Sequence, residues 1–184
     1  MRVMVTGGAG FIGSRVVRKL KEYGVSPLVF DLVPHPDPDV ESFKGSIKDL
    51  DQIRSAMRGV DAVMHLAAIA DVGDVLKEPH YAEMVNVRGT INVLEAMRLS
   101  GIKRLVYGST TWVYEAAEPD IVDETTPLGY PTHIYTATKL AGEFYCRSYG
   151  SLYGLEPTVL RYGIPYGPGA RPAGVIALFV RKAL

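Results

Sequence analysis

Met1-Arg2-Val3-Met4-Val5-Thr6-Gly7-Gly8-Ala9-Gly10-Phe11-Ile12-Gly13 opens the chain, and the architecture follows from it. Residues 2–6 form a short apolar run ending at glycine, the pattern of a buried strand. Phe11, Ile12, Val16, Val17 and Leu20 then recur at helical spacing. In the turn between, Gly7 permits a tight bend, Gly10 lets backbone approach a pyrophosphate, and Gly13 lets helix and strand pack closely. Amides at the helix start face such an anion, helped by the helix dipole. A plain strand–helix turn that binds nothing is the competing reading.

Further along, Val25 to Asp31 reads as a second strand, with Pro27 an awkward residue near its start. Asp31 lies eighteen residues past Gly13 (31 − 13). A carboxylate there accepts hydrogen bonds from ribose hydroxyls and repels a 2′-phosphate, which favours NAD over NADP; an acid capping a loop is the alternative. The three prolines at 34, 36 and 38 make 33–39 a surface loop. Helices are expected over 49–58, 81–99, 134–149 and the last ten residues, and strands over 60–66, 104–107 and 155–161. Loops fill 115–132 and the Pro/Gly-rich 163–174. This alternation predicts an α/β fold, a Rossmann-type doubly wound parallel sheet with helices on both faces. His65-Leu66-Ala67-Ala68 closes one strand with small residues against which a dinucleotide lies flat, and His65 reads as structural.

Composition narrows the partners. The 184 residues, 47% hydrophobic and 22% charged, fit one domain with a full core. Twenty basic residues balance twenty acidic ones, so no field recruits nucleic acid or an anionic membrane. The single cysteine, Cys146, excludes an intrachain disulfide and a four-cysteine metal site, and reads as a small buried apolar side chain. No metal is expected. No apolar run approaches the ~20 residues of a membrane span. The chain reaches its glycine turn with no leader before it, so a cytoplasmic location is expected.

The chemistry is carried by Tyr135 and Lys139, one helical turn apart on one face. A free phenol with a pKa of about 10 is a poor base at neutral pH, and a neighbouring ammonium lowers that value. Such spacing also arises by chance on solvated helices. Ser109-Thr110-Thr111 follows the strand expected to end near Tyr107, where ligands of an open parallel sheet bind. A hydroxyl from this segment can hold a substrate oxygen while Tyr135 takes its proton; a hydrogen-bonded turn is the plainer alternative.

Several motifs together resemble the extended short-chain dehydrogenases/reductases of the NAD-dependent epimerase/dehydratase family. They are Thr-Gly-Gly-Ala-Gly-Phe-Ile-Gly at 6–13, His-Leu-Ala-Ala at 65–68, Asn-Val-Arg-Gly-Thr at 86–90 and Gly-Ser-Thr-Thr-Trp-Val-Tyr at 108–114. Tyr-Thr-Ala-Thr-Lys at 135–139, Leu-Arg-Tyr at 160–162 and Tyr-Gly-Pro-Gly at 166–169 complete the set. The resemblance implies a catalytic triad of Thr110, Tyr135 and Lys139, with Ser109 and Thr111 as second choices for the hydroxyl. It implies NAD held by Gly7, Gly10, Phe11, Ile12, Gly13, Asp31, Leu66, Ala67, Ala68, Tyr135, Lys139 and Tyr162. Lys139 would also bond the nicotinamide ribose.

The resemblance also implies a nucleotide-sugar substrate and a homodimer built on the helices near 81–99 and 134–149. Sugar-nucleotide dehydratases carry Asp-Glu after the catalytic Thr, and here Thr111-Trp112 stands there. The family resemblance therefore points to 4-epimerisation, by transient oxidation at sugar C4 and return of hydride to the opposite face. A sugar dehydrogenase/reductase or a non-catalytic NAD-binding module are the alternatives. Residues 1–162 would be the NAD domain and 163–184 the incomplete start of a substrate region, as in a truncated chain. Ser46-Ile47 replaces an adenine-side Asp, Glu115 the Gly usual after Val-Tyr, and Ile164 a substrate-touching Asn.

Overall fold

The computed structural model describes residues 1–115, 117, 121–170 and 175–183. Six strands form one sheet: β1 (Arg2–Thr6), β2 (Ser26–Asp31), β3 (Glu41–Lys44), β4 (Ala62–His65), β5 (Arg104–Thr110) and β6 (Glu156–Tyr162). All pair in parallel in the order β3-β2-β1-β4-β5-β6. The order reverses between β1 and β4, which opens a crevice at the strands' carboxyl ends.

Side-chain alternation along the strands sends two apolar sets to opposite faces. Val3, Val5 and Val29 pack under Val17 of α1 (Phe11–Glu22). Met4, Phe30, Val63, Leu105 and Tyr107 pack under three helices on the other face. These are α2 (Leu50–Ala56), α5 (Gly89–Ser100) and α6 (Ile134–Tyr153). Two short helices, α3 (Val72–Lys77) and α4 (Pro79–Glu83), precede a π-helical turn at Met84–Arg88, and α7 (Val175–Ala183) comes last. Among the described residues no helix is long and apolar enough to cross a membrane.

The doubly wound α/β sheet is as expected, with local differences. Pro27 is tolerated in β2 because Ser26 N–H donates to Met1 O, so position 27 faces the other edge, where β3 begins only opposite Leu28. The strand β3 itself was not expected: Glu41-Ser42-Phe43-Lys44 has one apolar residue, a polar composition suited to a sheet edge. The single helix expected over 81–99 is three pieces, and α3 is additional. The strand expected to end near Tyr107 continues to Thr110, so Ser109 and Thr110 lie within it. Residues 116 and 118–120 of the 115–132 loop, 171–174 of the 163–174 connection, and Leu184 of the last helix lie outside the described residues.

One contact sets how close α6 sits to the sheet. A Cβ at Gly142 would lie 2.6 Å from Tyr107 Cζ and nearer still to its hydroxyl, which donates to Lys139 O at 3.3 Å. Gly142→Ala is expected to destabilise the fold by about 1–3 kcal/mol through overpacking. Adding Tyr107→Phe removes the nearest clashing atom. Chemical denaturation of the two single variants and the double variant should therefore show a non-additive, partial rescue. Additive losses would contradict this packing account.

Candidate active site

At the crevice, the nucleotide half is built from backbone. Gly7 adopts φ +70°, and a Cβ there would lie 2.7 Å from Ala67 N; a Cβ at Gly13 would collide with Gly7 O. The turn thus leaves a cradle that only glycine permits at these two points. Gly10 caps α1 with no side-chain hydrogen bond, and no acid occupies the first turn, so the N-terminal amides face the cleft unopposed. Asp31 ends β2 with both oxygens engaged: Oδ2 accepts from Ala9 N–H at 3.0 Å and Oδ1 from Leu32 N–H at 2.7 Å. The carboxylate is therefore fastened to the glycine turn.

The cleft has a volume of about 730 Å³. Gly7, Gly10, Phe11, Ile12, Gly13, Asp31, Leu66, Ala67, Ala68, Thr110, Tyr135, Lys139 and Tyr162, the residues expected to bind the cofactor or act in catalysis, all line it. Ser46, Ile47 and Ile164, noted as departures from the family pattern, line it too. Tyr162 reaches the chemical end because it pairs with Thr110 across the β5–β6 ladder.

The three neighbouring hydroxyls separate by their hydrogen bonds. Ser109 donates to Glu143 Oε1 at 2.5 Å, and Glu143 is clamped by Arg161 at 2.7 Å. Thr111 is exposed and lies outside the main cleft, in a small groove with Tyr114 and Glu115. Thr110 is buried, and its Oγ1 accepts from Trp112 N–H at 3.2 Å, which leaves the O–H proton to donate into the cleft.

Lys139 is buried, and its Nζ stands 4.6 Å from the centre of the Tyr107 ring. Burial lowers its pKa to about 8, against smaller raising effects of Cys146 and Glu143. Burial raises that of Tyr135. Without a ligand, burial thus works against the acidic phenol expected beside the Lys139 ammonium. Cys146 is buried and its thiol is pushed up to about 12, so it is no nucleophile.

A buried polar chain ties the halves together. Thr90 Oγ1 donates to Asn86 O at 2.6 Å and therefore accepts from His65 Nε2–H at 3.0 Å. Nδ1 is then the acceptor for Thr6 O–H at 2.6 Å, and Thr6 Oγ1 accepts from Leu66 and Ala67 N–H, each at 3.2 Å. No site remains for a second proton, and burial, assisted by Lys139, lowers the imidazole pKa to about 3. His65 is structural, as read from sequence. Asn86 also grips Ile69 N–H and O, and donates to Thr138 Oγ1, which in turn donates to Tyr135 O at 2.8 Å. Asn86, Thr90 and Thr138 were missed as functional positions. The Asn-Val-Arg-Gly-Thr motif, for Asn86 and Thr90, and the Tyr-Thr-Ala-Thr-Lys motif, for Thr138, were their signals, but a motif shows no hydrogen bonds.

A family profile described as "NAD dependent epimerase/dehydratase family" matches residues 3–184. A UDP-glucose 4-epimerase of Corynebacterium glutamicum is 34% identical over 171 residues, covering 88% of this chain and 50% of that protein. The Thermus thermophilus UDP-glucose 4-epimerase, solved in complex with NAD, superposes with a TM-score of 0.88 at 36% identity over 100% of this chain and 61% of that one. The Thermotoga maritima UDP-glucose 4-epimerase, solved with UDP-glucose, gives 0.90 at 32% identity over 99% and 62%. The chain thus spans roughly half to three fifths of the length of these relatives.

Lys139 has a measurable cost. Depression from 10.5 to about 8 corresponds to roughly 3 kcal/mol of destabilisation near neutral pH. The sign is fixed: below pH 8 both folded and unfolded chains carry the ammonium and the penalty is full. Between about 8 and 10.5 the folded chain binds fewer protons, so stability rises with pH. Lys139→Met is expected to be more stable than wild type by about 1–3 kcal/mol at pH 7. Urea unfolding of both proteins should show the gap closing from pH 8 to 10.5; a constant gap would refute it.

Proposed function

The chain belongs to the NAD dependent epimerase/dehydratase family, and on that footing we propose that it serves an NAD-dependent nucleotide-sugar 4-epimerase. The observation carrying the proposal is that the Thr110 hydroxyl, the Tyr135 phenol and the Lys139 ammonium share one cleft with the glycine turn and Asp31. UDP-glucose 4-epimerases with NAD or UDP-glucose bound are among its structural relatives, which supports a nucleotide sugar as substrate.

The glycine cradle and the open N-terminus of α1 fit a pyrophosphate. Asp31 fits ribose hydroxyls and repels a 2′-phosphate, so the residues suit NAD. When bound, NAD would supply the hydride acceptor and donor for sugar C4. Thr110 donates its hydroxyl proton to the C4 oxygen and holds it. Tyr135, as phenolate, takes the proton of the C4 hydroxyl and, as phenol, later gives it back. Lys139, donating to ribose hydroxyls, is favoured in its ammonium form. Holding the nucleotide and keeping a cation beside Tyr135 are then one act, which restores the acidic phenol that burial alone opposes. Thr111-Trp112 stands where an acid pair for eliminating water would be, which favours epimerisation over dehydration.

A homodimer through α6 and its neighbour fits the same reading, since Ile134, Phe144 and Tyr145 are exposed there.

The test is incubation of the protein, expressed from its whole reading frame, with NAD and UDP-, GDP- and dTDP-hexoses. Interconversion of C4 epimers without accumulation of free NADH is expected; stoichiometric NADH would indicate a dehydrogenase. Tyr135→Phe is expected to lower kcat by about 10²–10⁴-fold with NAD affinity retained. Unchanged turnover in that variant would reject the role of Tyr135.

A further inference from the structure

Trp112 is the only tryptophan in the 184 residues. It stands two residues beyond Thr110 on a 3₁₀ turn, lines the main cleft, and remains 39% exposed. Its backbone N–H already holds the Thr110 hydroxyl. Its ring is propped from behind. His133 lies 5.4 Å away, centre to centre, and His133 Nε2 is 3.8 Å from a Glu115 oxygen. Glu115 Oε1 in turn accepts from Thr132 N–H at 2.8 Å and from its hydroxyl at 3.0 Å. Burial works against the Glu115 carboxyl, but these donors hold it below its usual range, so it is an anion at neutral pH. The indole thus lines the cleft two residues beyond Thr110, resting against the His133 ring, with the Glu115 carboxylate next to that ring.

The charges around the cleft sharpen this. Among the described residues its only basic lining groups are Lys48 and Lys139. Lys48 sits over the Tyr81 ring at 4.7 Å, in the segment after Gly45, whose N–H bonds Asp31 O. That is the ribose-binding end, away from Thr110. Lys139 is buried with its ammonium over the Tyr107 ring. A carboxylate brought against the indole would lose water and face the negative π surface. The C–H face of a pyranose meets neither penalty.

We propose that Trp112 is the specificity-determining residue of this cleft, stacking its indole on the apolar C–H face of a neutral nucleotide-linked hexopyranose and disfavouring the corresponding hexuronate. The proposal rests on the nucleotide-sugar reading of the site and adds which sugar it takes.

The emission difference between wild-type protein and Trp112→Phe reports this one side chain. With the protein expressed from its whole reading frame and loaded with NAD, UDP-glucose is expected to shift that signal and UDP alone to leave it unchanged. Trp112→Ser should raise KM for UDP-glucose by about 10-fold with kcat changed less than about 3-fold, the signature of lost uniform binding. The same variant should narrow the preference for UDP-glucose over UDP-glucuronate by about 10-fold, while Trp112→Phe, which keeps an aromatic face, retains most of both. If UDP-glucose is bound and epimerised but neither the emission nor the Ser variant's KM and selectivity responds, this role is overturned and the epimerase reading stands. If calorimetry finds no binding of UDP-glucose and no turnover is seen, both fall together.

Discussion

The neutral imidazole of His65 is the joint on which the site depends. It sits at the switch point of the sheet, accepting from Thr6 at the end of β1 and donating to Thr90 at the start of α5. Each neighbour is satisfied in turn, Thr6 by the Leu66 and Ala67 amides and Thr90 by the Asn86 carbonyl. Because every proton in the chain has one destination, the two strand ends cannot slide without stranding a buried polar atom, which costs about 1–3 kcal/mol. From Asn86 the connection continues through Thr138 to the Tyr135 carbonyl. The glycine turn and the phenol, far apart in sequence, are thereby placed by one set of hydrogen bonds.

Much of this was legible in the residues because its determinants are local. Glycine spacing, strand runs ending at Gly7, Asp31 and His65, and the four-residue Tyr135–Lys139 interval each report a nearby backbone geometry. What escaped depends on distant partners. The strand β3 has one apolar residue and is a strand only because β2 offers it an edge. The π turn at Met84–Arg88 inserts a residue into a helix whose apolar pattern reads as continuous. Spacing shows that Tyr135 and Lys139 are neighbours but not how deeply each is buried, and burial raises the phenol pKa and lowers that of the ammonium.

Lys139 shows how function is set against stability. A cation buried against an aromatic face, with a lowered proton affinity, is a poor choice for a core and a useful one for a site that must offer a charged donor to a hydroxyl-bearing ligand. The surrounding packing is correspondingly close: Gly142 admits Tyr107, and Tyr107 in turn carries both the Lys139 carbonyl and its ammonium. The Glu143–Arg161 pair, which also takes the Ser109 hydroxyl, keeps the next turn of α6 polar yet satisfied. Of the two buried hydroxyls at the end of β5, Thr110 alone keeps a proton free for the cleft.

The sheet order has a consequence for how the chain comes off the ribosome. The earliest of the six strands is central, flanked by partners centred near residues 28 and 64, and its Thr6 is joined to a histidine 59 positions later. That histidine waits for a threonine a further 25 positions on. Translation at about 5–20 residues per second therefore leaves the earliest segment for several seconds with an unmatched edge. β2 pairs along the opposite edge and leaves this one open, so the nucleotide turn, made ahead of the other site elements, acquires its final form only after residue 90 has been added.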